Sequence, residues 1–554
     1  MSISVSDLAF AYPSGGELFF DVSFSVKPGD HVGLVGANGV GKSSLMKILA
    51  EEQRATDGAV RIDGEFVYMP QSVGYVEGMT VRELLLSYAP PHVRTVGLRV
   101  ADAEKHLAAG DESAGMDLGD AIQQWGDVGG YELEGKWDAS IKRVVRSSLM
   151  NIGDEPSSRL SGGEVKQLVL DLAFSSDANV LLLDEPDNYL DIPAKLALEQ
   201  AIRDSKKTIL TISHDRQLLS SAMNKIVTLE SSGAWVHGGS YATYVAARTA
   251  RIERAGDERK RWEEERQRLY KHMKDRKEQA KISPKLASVA SAAETRYERY
   301  VAAGPPPEPA KDERITVSLR GSASGQRMLL AKDVSLDGLI RPFEVEIRQG
   351  ERIGLIGPNG SGKSHMLRLF AGTQIPTTGS ITLGSRVSSG TFSQVNNRPD
   401  FMGVDVLEIV ERQTGNYEAA MRILARYGLQ GHSRRSFDTL SGGQKARLEI
   451  LYLELEGHNL LLLDEPTDNL DIDSSEALEH ALDGFEGTCI SVSHDRSYLE
   501  KQDRFLLLGH DGRLFELFDF DAAMNAITSR NAGPKAKALN ENGIGANLTR
   551  SKDM

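Results

Sequence analysis

A single cysteine, Cys489, stands in 554 residues. That excludes an intrachain disulfide, a thiolate zinc site and an iron–sulfur cluster. Apolar runs are short, and none reaches the roughly eighteen residues that a membrane-spanning helix needs. The opening MSISVSDLAF lacks a charged region followed by an apolar run, so no signal peptide is expected. Positive charge is in deficit: 65 Lys and Arg face 79 Asp and Glu, a formal net charge of −14. Spread evenly, a charge of that sign would repel nucleic acid. The expectation is a soluble, cytoplasmic protein that makes no membrane contact and is long enough for about two to four domains.

What is present is a repeat. GDHVGLVGANGVGKSSL at 29–45 returns as GERIGLIGPNGSGKSHM at 350–366. RLSGGE at 159–164 returns as TLSGGQ at 439–444, and NVLLLDEPDNYLDI at 179–192 as NLLLLDEPTDNLDI at 459–472. TISHDRQLL at 211–219 returns as SVSHDRSYL at 491–499. Four motifs in one order, twice, describe two copies of one domain. VGLVG and IGLIG are buried-strand runs that enter a Gly-rich loop and then a helix. VLLLDE and LLLLDE are continuous apolar strands ending in carboxylates, the pattern of parallel strands covered on both faces. Each copy is predicted to be α/β, with its ligand at the carboxyl ends of the strands.

The chemistry follows from residue type. In GANGVGKS (Gly36, Asn38, Gly39, Gly41, Lys42, Ser43) and GPNGSGKS (Gly357, Asn359, Gly360, Gly362, Lys363, Ser364), glycines let backbone N–H groups turn inward around phosphates. The lysine reaches the terminal phosphates and the serine hydroxyl ligates Mg²⁺. Asp184 and Asp464 end apolar strands, where a carboxylate holds Mg²⁺. Glu185 and Glu465 follow them, placed to polarise an attacking water. His214 and His494 sit in turns after another strand, positioned to meet the γ-phosphate and steady that water. Gln71 and Gln394 follow short strands and are candidates for sensing Mg²⁺ and water.

In its order and spacing this set resembles the ATP-binding cassette superfamily, over about residues 1–244 and 312–520. The resemblance implies ATP and Mg²⁺ as ligands, ATP hydrolysis, and a head-to-tail sandwich of the two cassettes. A first site would pair Lys42, Ser43, Gln71, Asp184, Glu185 and His214 with Ser441, Gly442, Gly443 and Gln444. A second would pair Lys363, Ser364, Gln394, Asp464, Glu465 and His494 with Ser161, Gly162, Gly163 and Glu164. The family places an adenine-stacking ring where Tyr12 stands, 24 residues before Gly36; the same count in the second copy reaches Asp333. Ser44 follows the first Mg²⁺-binding serine, whereas His365 follows the second. Glu164 in place of glutamine is expected to bring negative charge towards a triphosphate. Slower turnover is therefore expected at the second site.

Two further segments bear on function. Gln71 to Ser161 spans 90 residues, against 47 from Gln394 to Ser441, so the first cassette carries an insertion at about 85–135 that reads as a small acidic helical arm. Between the cassettes, residues 245–311 read as a charged helical hairpin. Residues 245–304 hold 16 Lys/Arg and 10 Asp/Glu, net +6, which leaves −14 − 6 = −20 for the rest. Helix is expected to Lys281, broken by Ser283-Pro284 and resumed until Gly304. Lys271, Lys274, Arg276, Lys277, Lys281 and Lys285 cluster near the expected tip and suit a polyanionic RNA channel. Residues 521–554, rich in Ala, Asn, Gly and Lys, are expected to be disordered.

Together these parts resemble the ABC-F family, with tandem cassettes, an arm in the first and a hairpin linker; GGSYATY at 238–244 matches the short motif before that family's linker. The resemblance implies a monomer whose cassettes form an intramolecular dimer, bound to the ribosome with the linker tip near large-subunit rRNA, the P-site tRNA and the peptidyl-transferase centre. Family members modulate translation or protect the ribosome from antibiotics. The alternative is a cytoplasmic fused ATPase subunit of a membrane transporter.

Overall fold

The computed structural model describes residues 2–12, 15–73, 78–111, 114–306, 315–319, 325–392, 398–468, 470–529 and 536–540. It divides into two units, Met1–Val236 with Arg314–Met554, and His237–Glu313. No helix among the described residues is long and apolar enough to cross a membrane.

The first unit holds both cassettes. In the first, the strands Phe66–Met69, Val180–Asp184, Thr208–Ile212, His31–Val35 and Lys225–Glu230 lie side by side in that order and parallel. Every residue of Val180–Asp184 and Thr208–Ile212 is buried, as continuous apolar runs covered on both faces require. In the second, the order is Ser389–Phe392, Leu460–Asp464, Thr488–Val492, Arg352–Ile356, Arg504–Leu508, also parallel. An antiparallel edge formed by Leu514–Leu517 and Lys537–Ala538 completes it. A three-stranded antiparallel sheet accompanies each, with Ile3–Ala11 and Arg327–Leu336 as central strands.

The sheet order places the site. In each cassette the strand before the Gly-rich loop lies beside the strand before the histidine turn, which lies beside the strand ending in aspartate. Three carboxyl ends therefore converge. The helix Lys42–Leu49 is fixed from two sides: Leu45, Met46, Ile48 and Leu49 share one core with Ile3 and Val5 of the antiparallel sheet and with Val32, Leu34 and Leu182 of the parallel one. Each fully buried leucine there contributes about 1.5–3 kcal/mol.

Three expectations need correction. The segment after residue 520 is not wholly unstructured: Phe520–Ser529 is a helix that buries Ala523, Ala526 and Ile527 against Phe505, Leu517 and, from the first cassette, Ile192. Asn540 then donates to the carbonyls of Arg341 and Pro342. Low overall hydropathy hid three apolar residues at helical spacing. Residues 530–535 and 541–554 lie outside the described residues. The arm is three helices, Pro91–Ala108, Ala114–Asp127 and Gly130–Val144, and it extends beyond 135. Its core is Trp125 against Trp137, whose rings are 6.4 Å apart.

Asp333, finally, is not the counterpart of Tyr12. Asp7 and Asp333 both sit at bulges in the central antiparallel strands, with φ of 47° and 52°, and pair around Gly58 and Gly379 in the same way. Counting on from those bulges, Tyr12 corresponds to Gly338 (φ 74°), in the short turn between Leu336 and Ile340. The first hairpin has a longer loop, so a count from the Gly-rich loop slips register.

Candidate functional site

Both Gly-rich loops take one conformation. Gly36, Gly39 and Gly41 have φ of 153°, 84° and 104°, and Gly357, Gly360 and Gly362 have 156°, 75° and 104°. A Cβ at Gly41 would lie 2.8 Å from the Phe19 ring, and one at Gly362 would lie 2.8 Å from Leu339. Left-handed backbone and lack of space together demand glycine. Lys42 Nζ donates to the carbonyls of Gly36 (2.8 Å) and Ala37 (3.1 Å), and Lys363 Nζ to those of Gly357 (2.9 Å) and Pro358 (3.0 Å). Burial lowers the pKa of both ammonium groups; carboxylates oppose it, including one from the other cassette in each case, Asp471 for Lys42 and Asp191 for Lys363.

At the first site Ser43 Oγ donates to Asp184 Oδ1 at 3.4 Å. Burial, followed by the adjacent Glu185, pushes Asp184 up to about 6. Asp464 is raised by burial too, while a hydrogen bond from Ser364 lowers it. A buried carboxylate beside a hydroxyl is the hard-oxygen donor set that a divalent cation such as Mg²⁺ takes.

The glutamates that follow are strained, with φ of 49° at Glu185 and 51° at Glu465, but they differ in company. Glu185 Oε2 accepts from Gln71 Nε2 (2.7 Å) and from Asn188 Nδ2 (2.5 Å), and its carbonyl accepts from the buried Lys166 Nζ (2.5 Å). Glu465 Oε2 accepts from the His494 backbone N–H (3.1 Å). The motif alignment puts Asp468 where the first copy has Asn188, and Ala446 where it has Lys166. Glu465 is accordingly pushed up, first by burial and then by Asp468. Gln394 lies outside the described residues.

Both histidines are neutral at physiological pH. Burial, then Lys42, lowers His214 to about 3; burial, then Lys363 and Lys195, puts His494 well below its ordinary value. His214 Nε2 is 4.0 Å from Glu185 Oε1, and His494 Nε2 is 3.5 Å from Glu465 Oε1 and 3.1 Å from Asn359 Oδ1.

The cassettes face each other head to tail through these motifs. Asn38 N donates to Asp471 Oδ2 (3.3 Å), which also accepts from Arg447 (2.8 Å) on the helix Gly442–Glu456. Asn359 Nδ2 donates to the Tyr189 carbonyl (3.1 Å), and a Cβ on Gly163 would lie 3.4 Å from that same nitrogen. Ser161 and Ser441 cap their helices through capping boxes with Glu164 and Gln444. Here the charge expectation changes: Glu164 Oε2 accepts from Ser161 N (2.8 Å) and Ser161 Oγ (2.7 Å). The carboxylate is thus drawn back onto its own helix start. In the second copy Gln444 Oε1 accepts from Ser441 N (3.1 Å), and its amide meets His432 Nε2 (3.0 Å).

Tyr12 is half exposed, edge-on to Phe10 at 5.1 Å, with its hydroxyl 3.1 Å from Ser44 Oγ. His365, in the position of Ser44, meets Gln374 Oε1 instead (2.9 Å). Asn188, Lys166, Asp468 and Asp471 escaped sequence reasoning. The departures of DEPDNYLD and DEPTDNLD from each other held the signal for two of them.

The second unit is a hairpin of Tyr241–Ile282 and Ala287–Ala302, joined by a turn at Pro284–Leu286. The first limb runs unbroken through Gly256, and the turn follows the expected break, at Ser283–Leu286. Its seam is aromatic: Trp262 stacks on Tyr300 (5.6 Å, 16°), Tyr270 meets Tyr297 (5.5 Å), and Leu269, Ala290 and Ala293 are buried. Among the described residues, three of the six tip cations make a hydrogen bond or ion pair within the hairpin. Lys277 pairs with Glu294 (2.5 Å), Lys281 with Glu278 (2.8 Å), and Arg276 donates to Gln279 (2.8 Å). Lys271, Lys274 and Lys285 are exposed.

Comparison with known proteins agrees with this geometry. A family model described as ABC transporter matches residues 19–188 and 340–468. The chain is 40% identical over 542 residues to an "Antibiotic resistance protein" of Mycobacteroides abscessus, covering 93% of this chain and 98% of that one. It is 29% identical over 536 residues to the energy-dependent translational throttle protein EttA of Escherichia coli strain K12, covering 92% of each. Among solved structures, an RNase-L inhibitor matches with a TM-score of 0.54 at 19% identity over 97% of both chains. A ribosome-bound archaeal Pelota and ABCE1 model matches at 0.56 and 20%, over 97% of this chain and 84% of that one. At such identities the likeness shows the fold, an α/β tandem of cassettes.

Proposed function

Because this chain belongs to the ABC-F family of ATP-binding cassette proteins, we propose that it is a Mg²⁺-dependent ATPase that acts on the ribosome. The observation that carries the reading is the doubled site: each Gly-rich loop meets the opposite cassette, through Asn38 to Asp471 and through Asn359 to Tyr189. Two ATP molecules would lie between them, one against Ser441, Gly442, Gly443 and Gln444, the other against Ser161, Gly162, Gly163 and Glu164. The serine hydroxyls and helix-start N–H groups would serve as a second set of phosphate donors.

Ser43 with Asp184, and Ser364 with Asp464, would hold Mg²⁺, which when bound neutralises phosphate charge. Glu185 polarises the water and takes its proton as the oxygen attacks the γ-phosphorus and the bond to the bridging β-oxygen breaks. A neutral His214 accepts or donates one hydrogen bond without adding charge. Closure and hydrolysis then set how long the hairpin stays in place near rRNA, the P-site tRNA and the peptidyl-transferase centre. The names of the relatives in Mycobacteroides abscessus and Escherichia coli support the ribosomal direction.

The test is sedimentation of the Glu185→Gln/Glu465→Gln chain with ribosomes through sucrose. ATP should carry it into the ribosomal fractions; a protein that stays at the top with ATP sinks the reading. Replacing Lys271, Lys274 and Lys285 by Gln should lower the log–log salt slope of ribosome binding by about two to three units. Replacing Lys277 and Lys281, already paired, should lower it less.

A further inference from the structure

Each histidine turn continues into arginine, as SHDR, in both copies. Among the described residues, the ion pairs of both arginines lie with the opposite cassette. Arg216 reaches across the cassette interface to Glu479, with a second nitrogen at 3.3 Å from the other carboxylate oxygen, and lies 3.4 Å from Asp495 and 3.8 Å from Glu476. Arg496 reaches back to Glu199 and lies 3.8 Å from Asp215. Glu199 and Glu479 occupy the same place in the two copies, eight residues after Asp191 and Asp471. Both carboxylates are buried, at 3% and 2% exposure.

The rest of the cluster serves these pairs. Ser221 Oγ donates to Glu199, Lys501 lies 3.0 Å from Glu479, and Lys195 lies 3.2 Å from Asp215. The helix that carries Glu479, Ile472–Asp483, is the one whose N-cap Asp471 receives Asn38 N and Arg447. One rigid element of the second cassette therefore touches the Gly-rich loop and the histidine turn of the first. The helix Ile192–Asp204, capped by Asp191, mirrors it with Glu199.

We propose that Arg216 and Arg496 are positioning residues that couple the two ATP sites, each tying the histidine turn of one cassette to the helix and histidine turn of the other. The inference rests on the reading of two facing ATP sites and adds a route between them. A shift of either histidine turn must move or break a buried charge contact with the opposite cassette, two-pronged at Arg216 and single at Arg496. Binding at one site then changes the readiness of the second.

Two measurements test it on the full-length chain. In the Glu185→Gln/Glu465→Gln variant, binding of Mg·ATP should be positively cooperative, and Arg216→Ala should reduce the coupling about tenfold, within the range usual between sites. The charge-swapped pair Arg216→Glu with Glu479→Arg should restore at least half of it. In the Glu185→Gln background, where only the second site turns over, Arg216→Ala should lower kcat with KM within about twofold. If Arg216→Ala does not fold, Arg216→Lys, which keeps the charge but loses the fork, should give an intermediate loss. Independent binding in the parent overturns the proposal. So does an unchanged second-site kcat, or a charge swap no better than the single change. If the unmodified chain hydrolyses no ATP, the ATPase reading falls, while the binding measurement still decides the coupling.

Discussion

Glu185 and Glu465 end the same strand of the same domain with the same strained backbone, yet they are held differently. Glu185 is gripped by two side-chain amides, Gln71 and Asn188, and its carbonyl by Lys166. At Glu465 the place of Asn188 is taken by Asp468, which burial pushes up to about 6 while Lys195 opposes the rise. An amide donates to a carboxylate in every protonation state; a carboxylate donates only when it holds a proton. The difference teaches that a duplicated site can diverge while its lysine, serine, aspartate, glutamate and histidine all stay. The earlier expectation of a slow second site now rests less on Glu164, whose charge faces its own helix cap, and more on the neighbours of the glutamate.

The largest effect should come from the glutamates themselves. Glu185→Gln should lower total ATP turnover by at least about a hundredfold if the first site dominates, as loss of a general base does. Glu465→Gln should lower it less than about twofold; steady-state assays giving equal losses would break the comparison. Next, Asp468→Asn should supply the missing amide. In the Glu185→Gln background it should raise second-site turnover about three- to tenfold, one net hydrogen bond being worth about 0.5–1.5 kcal/mol. No change there would mean that the amide at Asn188 is only structural.

Smaller, Tyr12→Ala should raise KM for ATP at the first site about three- to tenfold with little change in kcat, the size of one lost ring contact. The second site, with Gly338 in that place, should be blind to it; a matching change there would refute the aromatic asymmetry.

The smallest concerns stability. Glu449, in the helix Gly442–Glu456, is fully buried, and neither carboxylate oxygen has a hydrogen-bond partner among the described residues. Burial pushes it up to about 7; the first cassette has Val169 there. The folded chain therefore keeps a proton that the unfolded chain loses above its ordinary carboxylate range. Stability falls as pH rises from about 4.5 to about 7, by roughly 3 kcal/mol, and then levels. Glu449→Val should flatten that fall, seen as melting temperatures a few degrees closer between pH 5 and pH 8. An unchanged gap would show that Glu449 is ionised in the fold.

The hairpin shows how far reading by composition reaches. Its helical limbs and the break at Ser283-Pro284 follow from local propensity and from proline's missing donor. Its seam did not show as a stripe, because few aromatic contacts, such as Trp262 on Tyr300, replace a continuous aliphatic face. The pairing of Lys277 with Glu294 depends on the second limb lying opposite, seventeen residues away in sequence.

By itself the sequence determined two α/β cassettes, the Gly-rich loops, and the carboxylates and histidines at strand ends. Those features are local, repeated, and tied to what backbone and residue type permit. Tertiary structure alone decided who meets whom. Asn38 finds Asp471, Arg216 finds Glu479, Glu164 turns back to Ser161, and the helix Phe520–Ser529 settles on Ile192. Most of these contacts join residues far apart in the chain, and their strength comes from burial. Burial is a property of the packed molecule that no single segment carries.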